Sequence, residues 1–110
     1  MARTPPEMLQ GTVDILILRT LAWEPMHGYA ISRWLAQRSD GVLTVDGAAL
    51  YQALHRLENR KWVSASWGLS ENNRKAKYYS ITALGRAQLR SESAVWQTYA
   101  DAVAKVLKPS

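Results

Sequence analysis

The chain has 110 residues, enough for one compact domain and too few for a second. With 14 Lys and Arg against 9 Asp and Glu, 47% hydrophobic and 21% charged residues, its composition is globular rather than disordered, and the net charge is +5. There is no cysteine, which excludes a disulfide scaffold, thiol catalysis, iron–sulfur ligation and the usual cysteine-containing zinc sites.

The longest apolar runs, such as Ile15 to Leu18, fall far short of the ~20 residues that cross a bilayer, and Met1 to Pro6 lacks a signal-peptide layout. A cytoplasmic protein with no membrane partner is expected. Five Trp and five Tyr stand beside no Phe, which suits half-wet surfaces where an aromatic ring also needs a polar handle; composition drift is the bland alternative.

Thr4-Pro5-Pro6-Glu7 has the form of a capping box and predicts a helix that runs on through Val13, Ile15, Leu16, Ile17, Leu18 and Leu21 to Ala22. Its apolar residues cover more than one face, so it should be covered on both sides, by its own domain and by a second subunit. Asp14 is the odd carboxylate in this helix and is expected at its edge or paired with a basic residue. Glu24 to Gly28 reads as a break, with His27 as a cap or packed residue. A second helix follows through Tyr29, Ile31, Trp34, Leu35 and Arg38. Val42 to Val45 is an extended linker or a single ladder pair, and Asp46 can cap a third helix through Leu50, Leu54 and Leu57 to about Arg60.

From Trp62 the period changes to alternation. Trp62 to Trp67 and Lys77 to Ile81 predict two strands around a polar, basic tip from Gly68 to Ala76. Trp34 and Trp62 read as core, Trp67 as packed under the hairpin, and Tyr78 and Tyr79 as pointing to opposite faces, one inward and one outward. Thr82 can cap a last helix from Ala83 to about Leu107. On it Leu89, Glu92, Trp96, Tyr99, Val103 and Val106 recur at steps of 3, 4, 3, 4 and 3, a coiled-coil-like stripe suited to a second copy of the chain.

This order predicts a mainly α, α+β fold: a winged helix-turn-helix over residues 1–81 with a two-stranded wing, and a dimerisation helix over 82–110. With Leu50, Ala53, Leu54 and Leu57 inward, the third helix turns Ala48, Tyr51, Gln52, His55 and Asn59 outward, with Arg56 at the edge. Gln52 and Asn59 suit adenine edges, and Tyr51 and His55 suit phosphates. Asn73, Arg74, Lys75 and Lys77 add backbone contacts from the wing. Two histidines without His or Cys partners at ligand spacing make a metal site improbable on composition alone; no cofactor is expected, and no enzyme signature is present.

Leu9 to Leu18, His27-Gly28-Tyr29-Ala30-Ile31, Ala49 to Glu58, and Arg74 to Thr82 with Gly85 together resemble the PadR family of bacterial transcriptional regulators, from about Met8 to Leu107. The resemblance implies a homodimeric repressor that binds double-stranded DNA at a pseudo-palindromic operator. The last helix would pack on the partner's first and last helices through Leu16, Leu89, Trp96, Tyr99, Val103 and Val106. It further implies Tyr51 at the DNA face, Arg74, Lys75 and Lys77 as wing contacts, and Trp96, with Tyr99 beside it, as the place of a small aromatic effector. Dimer core is the alternative role for both aromatics. Ala49 and Gln52 stand where the family often has Ser and Pro, which removes a hydroxyl and adds a backbone donor and a base reader.

The alternative from another class is a winged-helix protein–protein interaction module that does not bind DNA. Against it stands the charge distribution. Between Arg56 and Arg86 seven basic residues face two acidic ones, while the remaining seven basic and seven acidic residues cancel, so the whole +5 falls on the expected DNA side.

Overall fold

The computed structural model describes residues 10–109, so the Thr4 to Glu7 capping box lies outside the described residues. Helix α1 (Gln10–Trp23) is the centre of the molecule. It buries Val13, Ile17, Leu18 and Leu21, and it touches α2 (Gly28–Arg38), α3 (Gly47–Asn59), strand β3 (Lys75–Ile81) and α4 (Ala83–Leu107). That many neighbours require apolar side chains on more than one face, which is why the helix has no single stripe. Buried Thr20 satisfies its hydroxyl by donating to the Leu16 carbonyl at 2.8 Å.

Each of the next three helices starts on a side-chain cap. The His27 Nδ1 accepts from the Ala30 N–H at 3.1 Å, Asp46 accepts from Ala49 at 3.1 Å, and Thr82 accepts from Gly85 at 3.0 Å. Two of them also end alike. After α2 the Gly41 N–H reaches the Ala36 carbonyl and the Asp40 N–H the Gln37 carbonyl; after α3 the Trp62 N–H reaches Leu57 and the Lys61 N–H reaches Glu58. Both are Schellman ends, with Asp40 at φ 54° and Lys61 at φ 66° in the left-handed region. The segment Val42 to Val45 carries no strand, and the Ser39 hydroxyl pins it by accepting from the Leu43 N–H at 2.9 Å.

The sheet corrects the expected two-stranded wing. It has three antiparallel strands in the order β1-β3-β2, formed by β1 (Met26–His27), β2 (Val63–Leu69) and β3. Met26 pairs with Tyr79 and His27 with Tyr78, inside the stretch read from sequence as a break. Two residues are too few for an alternating period to register. The hairpin is also longer than expected: the ladder continues through Gly68 opposite Ala76 to Leu69 opposite Lys75, leaving a tip of Ser70 to Arg74.

The core gathers Val13, Ile17, Leu18 and Leu21 of α1, Ile31 and Leu35 of α2, Leu50, Ala53, Leu54 and Leu57 of α3, and Val63 and Tyr79 of the sheet. Removing a side chain such as Ile17 or Leu54 from water contributes about 1.5–3 kcal/mol each. Trp34 and Trp62 pack against this core while partly buried. At the start of α4, Gly85 lies so close to the Trp62 carbonyl oxygen that a Cβ would collide with it, which lets the helix dock on the connection between α3 and β2. Leu89 is 8% exposed and belongs to the same core, whereas the helix beyond it runs largely exposed to Leu107. No described helix is long and apolar enough to cross a membrane.

Candidate nucleic-acid interface

The burial of Leu50, Ala53, Leu54 and Leu57 rotates α3 so that Ala48, Tyr51, Gln52, His55 and Asn59 are all exposed along one face. Together they form one outward strip over three turns, polar or aromatic at every position except Ala48. The Tyr51 phenol lies over the first turn of α2, where a Cβ on Gly28 would meet its ring and hydroxyl. Tyr51 is therefore positioned by the helix before it as well as by its own.

Arg56 departs from the expected arrangement. Its guanidinium is directed to α1, with Nη2 2.8 Å from the Asp14 carboxylate, while Arg60 lies 3.7 Å from the other carboxylate oxygen. Asp14 is only 6% exposed. The pairing expected of Asp14 is present, and the physical reason for the shift of Arg56 is the cost of leaving that buried carboxylate alone. The Arg56 Nε, also buried, has no hydrogen-bond partner among the described residues.

At the tip of the wing, Asn73, Arg74 and Lys75 are exposed. Asn73 adopts φ 58° and its N–H donates to the Ser70 carbonyl at 2.9 Å, a left-handed turn position that asparagine tolerates well. Lys77 is set further back, 3.3 Å from Glu58 and beside the Tyr79 ring. Tyr79 is buried and Tyr78 lies on the opposite face, where it meets the His27 ring edge-on and donates its hydroxyl to the Leu69 carbonyl at 2.9 Å. The outward tyrosine therefore has its polar group occupied within the hairpin.

Trp67 is not packed under the hairpin: it is 64% exposed, with the Lys75 ammonium 5.1 Å from its ring. It shares a sheet face with Val63 and Tyr79 but lies beyond the end of the core. The wing, the start of α2 and α3 enclose a cleft of about 650 Å³ lined by Tyr29, Arg33, Tyr51, Trp67, Arg74 and Lys75 among others. Tyr29, Arg33 and Trp67 were absent from the expected site. The spacing of Tyr29 and Arg33, one helical turn apart, and the shared parity of Trp67 with Val63 were signals that could have placed them.

The two histidines do not converge, since His27 is committed as a cap and His55 lies on the outward face of α3. Among the described residues no three His, Asp or Glu side chains are grouped to hold a metal ion. On α4 the aromatic and aliphatic stripe is open, with Trp96 43% and Val106 83% exposed and Tyr99 and Val103 also exposed. Leu89 and Leu16 differ from the rest of the expected stripe: Leu89 is buried because the start of α4 packs on α1, and Leu16 is partly buried against the chain's own core, where it borders Trp34, Leu35 and Leu43.

A family model described as the transcriptional regulator PadR-like family matches residues 17–91. An uncharacterized protein from Lysinibacillus sphaericus is 32% identical over 90 residues, covering 82% of this chain and 83% of its own. A transcriptional regulator from Clostridium thermocellum has a similar structure, with 27% identity, a TM-score of 0.81, and coverage of 90% of this chain and 96% of the other. A PadR-like transcriptional regulator from Bacillus cereus is 27% identical with a TM-score of 0.79, covering 96% of this chain and 100% of its own. A PadR family transcriptional regulator from Eggerthella lenta is 31% identical with a TM-score of 0.76, covering 92% and 86%.

Proposed function

Because this chain belongs to the PadR-like family of transcriptional regulators, we propose that it is a homodimeric, sequence-specific repressor whose operator binding is relieved by a small aromatic effector. The observation that carries the DNA-binding reading is the exposed strip Ala48, Tyr51, Gln52, His55 and Asn59 on α3, with the basic tip at Asn73, Arg74 and Lys75. Gln52 and Asn59 read base edges, Tyr51 and His55 hold phosphates, and the wing makes sequence-independent contacts, with Lys77 contributing after it leaves Glu58.

One winged helix offers few base contacts, so two heads on a pseudo-palindrome supply the affinity. The exposed stripe of Trp96, Tyr99, Val103 and Val106 supports pairing through α4. An effector held at Trp96 and Tyr99 would change the angle between the two last helices, provided it binds one arrangement better than the other.

The test is binding to the DNA upstream of the chain's own gene at several salt concentrations. A specific complex whose log affinity falls steeply with log salt is expected. Absence of binding to any promoter fragment at low salt would leave the protein–protein module as the better reading. Gln52→Ala should change sequence preference by about 1–3 kcal/mol if the amide makes a bidentate base contact, and an unchanged preference removes Gln52 from the base readers. Planar aromatic compounds should quench tryptophan fluorescence and release the DNA; a panel that does neither removes the effector.

A further inference from the structure

Asp14 is the single carboxylate of α1, and it is almost fully buried in a helix whose other inward residues are apolar, apart from Thr20. A buried carboxylate is costly, and a paired one is often no more stabilising than an apolar side chain of the same size. One partner lies on α3, the helix facing DNA in the proposed reading, and the other is the residue that ends it. Arg56 and Arg60 are one turn apart and converge on the two carboxylate oxygens at 2.8 and 3.7 Å. Arg60 is held a second way, with its guanidinium 5.1 Å from the Trp62 ring.

The same division runs through the rest of the basic segment. Lys77 has a carboxylate within 4 Å, that of Glu58, whereas Lys61, Arg74, Lys75 and Arg86 have none among the described residues. Arg56, Arg60 and Lys77 are tied down, while Arg74 and Lys75 at the wing tip, Lys61 just past α3 and Arg86 on α4 are without a carboxylate among the described residues. A guanidinium at the end of α3 would bind phosphate regardless of sequence, because each phosphate neutralised releases counterions. A buried carboxylate competes with that phosphate better than a surface one, since water and salt screen it less.

We propose that Asp14 is an internal counterion that withholds Arg56 and Arg60 from DNA phosphates and so lowers the sequence-independent affinity of the protein for DNA. This rests on the reading of α3 and the wing as a DNA interface. Asp14 is on this account a positioning residue that sets how many phosphates the protein neutralises, and touches no DNA itself.

Asp14→Asn keeps the shape and an acceptor for Arg56 but removes the charge that holds Arg60. The measurement is the slope of log affinity against log salt, on a random-sequence duplex and on a fragment the wild type binds. Asp14→Asn should steepen the slope on both duplexes by about 0.9 for each phosphate gained and leave the ratio of specific to random affinity near that of the wild type. Asp14→Asn with Arg60→Gln should return the slope toward that of the wild type, a rescue that mere loosening of α3 would not give.

Arg60→Gln alone, a change at an exposed side chain, should leave the wild-type slope unchanged. If it lowers the slope by about 0.9, Arg60 already lies on a phosphate and the proposal is overturned, whether or not Asp14→Asn folds. A folded Asp14→Asn protein with the wild-type slope on both duplexes also overturns it. A wild type that binds no DNA sinks the interface reading and this proposal together; a wild type that binds selectively and is indifferent to both substitutions sinks this one alone.

Discussion

Tyr51 shows how much of a contact surface is set by a neighbour one residue in size. The phenol occupies the space that a side chain at position 28 would need, and Gly28 leaves that space open at the first turn of α2. Gly28 is the first residue of α2, and the colliding atoms are the far end of a half-exposed side chain that is able to swing away. Gly28→Ala is therefore expected to leave thermal stability nearly unchanged while displacing the phenol and weakening operator binding. Unchanged affinity in a gel-shift titration would show that Tyr51 makes no contact that matters.

Tyr79 carries a different kind of residue-scale consequence. Burial pushes its phenol above the ordinary value of 10.0, opposed by nearby Lys77 and reinforced by Glu58 and Tyr51. A raised value means that the folded chain keeps this proton to higher pH than the unfolded chain. The stabilisation is complete below the ordinary value and is lost as pH rises through the folded one. Urea unfolding on either side of pH 10 should thus show stability falling with alkalinity, and Tyr79→Phe should flatten that part of the curve.

Among elements, the wing and α3 divide the electrostatic work unevenly. Arg74 stands at the turn without a carboxylate partner among the described residues, while Lys77 is 3.3 Å from Glu58 of α3. Arg74→Ala should reduce the salt slope by about 0.9, nearly uniformly across sequences, and Lys77→Ala should reduce it less, because a Lys77 that moves to a phosphate leaves Glu58 unpaired; equal effects would mean that the Glu58 pair does not compete with DNA. The hairpin, α2, α3 and α4 were all legible beforehand because alternation, helical spacing and cap residues are local signals that agree with one another. His27, Asp46 and Thr82 each cap the helix they precede. Strand β1 was not legible, since two residues hold no period. Nor was the left-handed Lys61, because a lysine carries no glycine-like mark of such a position.

At the scale of the whole molecule, α4 is two things in one helix. Its first turns, as far as Leu89, complete the core against α1, and the remainder projects with Val95, Trp96, Tyr99, Val103, Val106 and Leu107 exposed. With 25 residues, and extents of 55 × 34 × 20 Å for the molecule, much of that helix lies outside what one copy covers. Val103→Asp should split the proposed dimer without unfolding the winged helix, as read by light scattering and circular dichroism. A variant that stays dimeric would place the interface elsewhere.

The sequence by itself determined the order of the helices and the hairpin, the inward face of α3 and the concentration of net positive charge between Arg56 and Arg86. Each follows from spacing along the chain, which local physics converts directly into a face or a cap. The tertiary structure decided which of those charges are available. Arg56 looks like an interface residue on its own helix, yet a carboxylate 42 residues earlier in the chain turns it inward at 2.8 Å. Trp67 likewise follows the inward parity of its strand, but the core ends before it arrives. Period tells a side chain which face it shares; only packing tells it whether anything lies opposite, and which partner of opposite charge is within reach.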